Sequence, residues 1–206
     1  VFSSSAMVYG QADARTIPET AATKFNIPDG GTRLACGRPI VDEAASDSEL
    51  QAVTVRYCNR VDARPLGHID EPRTRIPNNL APYAVKIATR ERGYLQVFGN
   101  DYPTHCGAVV RDCIHVNTLD LPRREVRIRI VNRGTGRACS VPEVGNASGR
   151  SIPLLHLVPR QNDLTACCAD PAFSSDLLGW SALLLPQRMC DDTWHWHVRP
   201  SYESAA

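Results

Sequence analysis

The residues best suited to chemistry lie in Asp191-Asp192-Thr193-Trp194-His195-Trp196-His197-Val198-Arg199. On an extended strand, His195 and His197 share one face and can ligate a single metal ion. His105 and Asp112, with six residues between them, offer two more donors upstream. In the competing reading, Trp194 and Trp196 pack inward and both histidines face water. A second concentration of chemistry is Arg123, Arg124, Arg127, Arg129, Arg133 and Arg137. Guanidinium groups grip carboxylates or phosphates bidentately where geometry allows. No aromatics are interleaved with these arginines, which disfavours a single-strand nucleic-acid platform. Neither a Gly-x-x-x-x-Gly-Lys loop nor a Gly-x-Ser-x-Gly elbow occurs.

The histidine and aspartate spacings resemble the zinc peptidases that cleave peptidoglycan cross-links, the D-Ala-D-Ala carboxypeptidase and murein endopeptidase group. The resemblance implies zinc held by His105, Asp112 and either His195 or His197, with Asp192 as the base. Such a metal lowers the pKa of its bound water to about 7 and polarises the scissile carbonyl. A looser likeness, from His115 through Leu121-Pro122 to Gly149-Arg150, resembles the double-psi barrel of septal-ring lytic transglycosylases. That family's aspartates are missing, because Pro142-Glu143-Val144 and Pro153-Leu154 stand in their places. Glu19–Phe25 resembles the start of pancreatic ribonucleases, but no histidine follows in the next turn, so that activity is excluded.

The elements that would position these groups read mostly as strands. In Glu125–Val141, Val126, Ile128 and Ile130 alternate with Arg127 and Arg129, and Gly134-Thr135-Gly136 tolerates a tight turn. The pattern predicts a β-hairpin with Ala138–Val141 as the returning strand. Alternation predicts further strands at Gln51–Cys58, Tyr83–Thr89, Tyr94–Phe98, Val109–Val110, Ile114–Val116 and Ile152–Val158. Asp176–Leu185 reads as a short helix or a buried strand. Strands at this density argue for an all-β chain, an antiparallel, jelly-roll-like β-sandwich or barrel with little helix. The organisation expected is an irregular N-terminal arm over 1–35 and a single β-rich domain over 36–206.

Composition narrows the function class. The chain has 206 residues, of which 43% are hydrophobic and 22% charged, and its net charge is +1. It has no global field for nucleic acid or anionic membrane, and no apolar run long enough to span a bilayer. Lys24 and Lys86 are the only lysines. Eight cysteines without Cys-x-x-Cys spacing favour at least two disulfides, with Cys167 and Cys168 bonded to different partners. Disulfides imply an extracellular, cell-surface or virion location, where Asn146-Ala147-Ser148 would be a glycan acceptor. The first residue, Val1, suggests a processed N-terminus. Together these features point to a non-enzymatic structural or interaction protein, a coat or surface subunit with no cofactor, associating with itself or sister subunits. The six arginines would meet acidic residues such as Asp42, Glu43, Asp47 and Glu49. The alternative is the zinc hydrolase.

Overall fold

The computed structural model describes residues 1–11, 16–61, 80–115, 128–147, 152–161, 163–182, 184 and 186–198. Strand β1 (Phe2–Ser3) leads through a 3-10 turn (Ala6–Tyr9) to helix α1 (Pro28–Ser46), then β2 (Ala52–Tyr57) and β3 (Asn59–Val61). Helix α2 (Leu80–Ala88), β4 (Leu95–Phe98), β5 (Val110–His115), β6 (Ile128–Arg133) and β7 (Ala138–Ser140) follow. The described chain ends with α3 (Val141–Ala147), β8 (Leu154–Leu157), β9 (Ala166–Cys167), α4 (Ala172–Leu178) and α5 (Pro186–Val198).

The pairing is mostly parallel and long-range. Strand β2 sits between β1 and β6, both parallel to it, with Thr54 opposite Phe2 on one side and Ile130 on the other. In a second sheet, β3 and β9 run parallel to β5 while β7 runs antiparallel. Strands β4 and β8 form a separate parallel pair. Parallel strands are covered on both faces, and β2 accordingly buries Thr54 and Arg56 as well as Val55 and Tyr57. Helix α4 and its sequel close one face, where Leu178 and Trp180 pack on Val55, Tyr57, Ile114 and Val131. Helix α1, begun by Pro28 with Asp29 in its first turn, lies on the 3-10 turn. A Cβ on Gly30 would stand 2.6 Å from the Met7 carbonyl oxygen, so only glycine permits this approach. On the second sheet, α2, α3 and α5 enclose Val61, Ala81, Cys113, Val144, Met189 and Cys190.

This architecture is α/β, and it overturns the all-β jelly-roll reading. The five α-helices cover more of the described residues than the nine strands. Tyr83–Thr89 alternates in sequence but belongs to α2, where the consecutive residues Ala84, Val85, Lys86 and Ile87 are all buried, so burial does not follow a period of two. The predicted hairpin does not form either. Strand β6 pairs with β2, and β7 pairs with β5. The Asp112 carboxylate captures the intervening turn, accepting from Thr135 N at 2.9 Å, Thr135 Oγ1 at 2.7 Å and Gly136 N at 3.2 Å. A Cβ on Gly134 would stand 2.2 Å from Asp112 Oδ2. Helix α1 crosses the boundary expected at residue 36, and residues 2–3 belong to the central sheet. Residues 125–127 of the expected hairpin lie outside the described residues.

Candidate ligand-binding cleft

Strand β2 delivers its carboxyl end, through Cys58, to Asn59, which borders a cleft of about 790 Å³. In open parallel sheets the carboxyl ends of strands are where ligands bind. The cleft draws Tyr83 from α2, Arg92 from the loop after it, Gln96 and Phe98 from β4, and Arg111 from β5. Arg160, Gln161 and Asp163 line it from the segment after β8.

Three guanidinium groups dominate its chemistry. The Arg160 guanidinium carbon stands 3.8 Å from the centre of the Phe98 ring, and that of Arg92 stands 5.1 Å from the centre of the Tyr83 ring. A ring face fixes the plane of a guanidinium while leaving its N–H edge free to donate. Arg111 is held differently, donating to Asp163 Oδ1 at 2.6 Å and to the Val110 carbonyl oxygen at 2.9 Å. Both partners of that ion pair are largely buried. The cleft therefore presents orientated positive charge between apolar walls, an arrangement suited to a phosphorylated ligand with a planar ring.

A second polar centre lies at the carboxyl end of β1. Ser3 Oγ and Tyr57 Oη are 2.5 Å apart, and Arg33 donates to the Ser3 carbonyl oxygen at 3.0 Å while pairing with Asp29 at 3.5 Å. Behind it, Arg56 donates to Tyr9 Oη and Tyr9 donates to Asn132 Oδ1. Burial raises the Tyr9 phenol above its ordinary pKa despite the adjacent Arg56 guanidinium.

The residues expected to bind zinc are scattered. His105 is exposed and pairs with Glu143 at 3.1 Å. Asp112 is buried beneath the Gly134–Gly136 turn, and burial raises its pKa against the hydrogen bonds it accepts. Asp191–Val198 belongs to helix α5, so His195 and His197 project in different directions instead of sharing a strand face. His195 Nδ1 lies 2.7 Å from the Asp191 carbonyl oxygen, and His197 Nε2 lies 2.5 Å from Glu91 Oε1. Asp192 is buried, with Oδ2 at 3.2 Å from His115 Nε2 and 3.1 Å from Arg188 Nε. Among the described residues no group of three His, Cys, Asp or Glu side chains could hold a metal ion.

Of the six arginines, Arg123, Arg124 and Arg127 lie outside the described residues. Arg129 and Arg137 are exposed, whereas Arg133 is fully buried with its guanidinium carbon 4.6 Å from the centre of the Trp180 ring. None of the three described ones lines the cleft. All eight cysteines are free thiols. The described helices include none long and apolar enough to cross a membrane.

The chain is similar to UDP-glucose 4-epimerases. The bovine (Bos taurus) enzyme is 39% identical over 211 residues, spanning 95% of this chain and 60% of its own length. The Bacillus subtilis enzyme is 38% identical, with 95% of this chain and 61% of its own length aligned. Among solved structures, the UDP-glucose 4-epimerase of Stenotrophomonas maltophila, with bound NAD and formylated UDP-arabinopyranose, superposes with a TM-score of 0.88 at 38% identity. That match covers 95% of this chain and 62% of the other. The Bifidobacterium longum enzyme, in complex with NAD+ and UDP, gives a TM-score of 0.86 at 36% identity, covering 95% and 62%. The chain thus spans about three fifths of the length of the curated relatives it matches. No family model matches it.

These findings overturn the coat- or surface-subunit reading and its zinc-hydrolase alternative, since the relatives are enzymes of sugar-nucleotide chemistry and the fold is Rossmann-like. The extracellular or virion location falls with them, because it rested on disulfides and the thiols are free. The expectation of no cofactor, or zinc, is corrected by the NAD bound in the solved neighbours. The described residues do not themselves fit a dinucleotide. The 206 residues contain no Gly-x-Gly-x-x-Gly, and the N–H groups of Thr135 and Gly136 in the Gly-Thr-Gly turn are spent on Asp112.

Proposed function

We propose that the cleft binds a uridine diphosphate sugar, and that the chain is the sugar-nucleotide-binding part of a protein of the UDP-glucose 4-epimerase kind. The observation that carries this reading is the convergence of Arg92, Arg111 and Arg160 on one cleft with Tyr83 and Phe98 beside them. A diphosphate brings two negative charges, and charge-assisted hydrogen bonds from pre-orientated guanidinium groups match it. Asp163, besides fixing Arg111, offers a carboxylate oxygen to ribose hydroxyls. Gln96, Gln161 and Asn59 supply neutral donors and acceptors for the uracil edge and the sugar.

Similarity to UDP-glucose 4-epimerases over 95% of the chain supports the same ligand class. When bound, NAD is a hydride carrier; the described residues do not fit it. Isothermal titration of the chain with UDP and with UDP-glucose tests the proposal. One saturable site is expected for each, with UDP displaced by UDP-glucose and binding weakened in Arg160→Ala. A folded chain that gives no saturation with UDP at millimolar concentration would refute it.

We also propose that copies of the chain associate through rim contacts between the exposed Arg129 and Arg137 and the exposed run Asp42, Glu43, Asp47 and Glu49 on and after α1. Such rim pairs contribute about 0–1 kcal/mol each and set register, with apolar burial supplying most of the affinity. Sedimentation of the wild type beside Arg129→Glu tests this, and a wild type that stays monomeric at high concentration rejects it.

A further inference from the structure

The parallel sheet and the second sheet meet where the carboxyl end of β2 passes the end of β9, and a cysteine stands at each position. Cys58 Sγ and Cys167 Sγ are 2.7 Å apart, against a covalent S–S length of about 2.05 Å. From this juxtaposition we infer that Cys58 and Cys167 are an oxidation site, converted by a peroxide into a reversible disulfide that ties β2 to β9. The reaction breaks two S–H bonds and the peroxide O–O bond. One S–S bond forms, the two sulfurs are each oxidised by one electron, and hydrogen peroxide leaves as two waters. A thiol reductant reverses it.

The surroundings favour this pair over the other thiols. Cys58 is partly exposed, which gives a small oxidant access, while Cys167 is fully buried behind it. The Cys58 thiol beside its sulfur, aided by the Arg111 guanidinium and opposed by burial, holds the Cys167 thiol below its ordinary pKa. Thiolates are the reactive form, and within this pair that form falls to Cys167, since the hydrogen bond to Cys167 and burial hold the Cys58 thiol well above its ordinary pKa. The adjacent Cys168 turns instead towards Asp112, with its sulfur 3.7 Å from Oδ2, and burial beside that carboxylate pushes its thiol far upwards. Burial likewise pushes Cys113 up to about 12 and Cys190 up to about 11. The bond would be a modification of an already folded chain, not a framework on which folding depends. It goes beyond the sugar-nucleotide reading and stands without it, although Asn59 follows Cys58 and Arg111 is the in-register neighbour of Cys167.

Peptide mapping of the reduced chain after peroxide treatment, alkylation and digestion without reductant tests the inference. The expected product has lost two hydrogens, links the Cys58 peptide to the Cys167-Cys168 peptide, and reverts with dithiothreitol. The link is expected to persist in Cys168→Ser and to vanish in Cys58→Ser. A link that needs Cys168 would overturn the inference. So would full alkylation of both Cys58 and Cys167 on denaturation, after peroxide has oxidised the exposed Cys36 and Cys106.

Discussion

Helix α5 and the cleft are opposites in how they carry polar chemistry. Residues 191–198 crowd two aspartates and two histidines into about two helical turns, yet their side chains do not converge. Asp192 pairs inward with His115 and along its own helix with Arg188, His197 reaches Glu91, and His195 stays on its own helix. The cleft assembles Arg92, Arg111 and Arg160 from three segments far apart in sequence, and all three line one space. Density along a chain is therefore a poor guide to convergence in space. On a helix, neighbours in sequence diverge by about 100° per residue, whereas parallel strands bring distant residues to a common end.

The largest effect that sharpens this contrast is expected at Asp192. Asp192→Ala leaves His115 buried without that partner and should cost about 2 kcal/mol of stability, read as a lower urea midpoint. Binding of UDP by the molecules that remain folded should be unchanged. Arg160→Ala should do the reverse, weakening UDP binding about tenfold, roughly 1.4 kcal/mol, with little change in the unfolding midpoint. If Asp192→Ala abolished UDP binding while Arg160→Ala left it intact, the division of labour between the two regions would be reversed.

A smaller effect is expected from pH. Burial lowers the pKa of His115 against the pull of Asp192, so the folded chain resists a proton that the unfolded chain accepts. The stability contributed by keeping His115 neutral is present above the ordinary histidine value and is lost as pH falls through it. Urea midpoints should decline between about pH 7.5 and about pH 5.5, and less steeply in His115→Gln. The smallest effect is expected at His195. His195→Ala should shift stability by less than about 0.5 kcal/mol, and zinc should raise the melting temperature of neither variant nor wild type.

Several strands were legible because their signal is local. Val53, Val55 and Tyr57 mark β2, and the alternation at 94–98 and 152–158 falls on β4 and β8. Their partners were not legible, since nothing within Ala52–Tyr57 says that it lies parallel to Ile128–Arg133. The turn at Gly134–Gly136 was legible as a turn, but its capture by Asp112 depends on a residue more than twenty positions earlier. Most of the site was hidden for the same reason. The arginine-rich run at 123–137 draws attention by density, whereas Arg92, Arg111 and Arg160 are far apart in sequence and no spacing links them. Eight cysteines, an even number, suggested a framework, but parity carries no geometry, and all eight are free thiols.

The register of β2 also bears on how the chain reaches its fold. Its hydrogen-bonding partner on one side, Ile128–Arg133, leaves the ribosome long after it, and the β1 on the other side contributes only Phe2 and Ser3 to the pairing. A nascent Ala-Val-Thr-Val-Arg-Tyr segment must therefore wait with one edge open while some seventy more residues are synthesised. At about 5–20 residues per second, that wait lasts several seconds. During it the segment is a β-prone strand without a mate, the kind of exposed edge that chaperones cover and that other nascent chains can join. Arg56, buried in the finished sheet, is then the segment's only charge, and it acts as a gatekeeper against aggregation before it takes its place beside Tyr9.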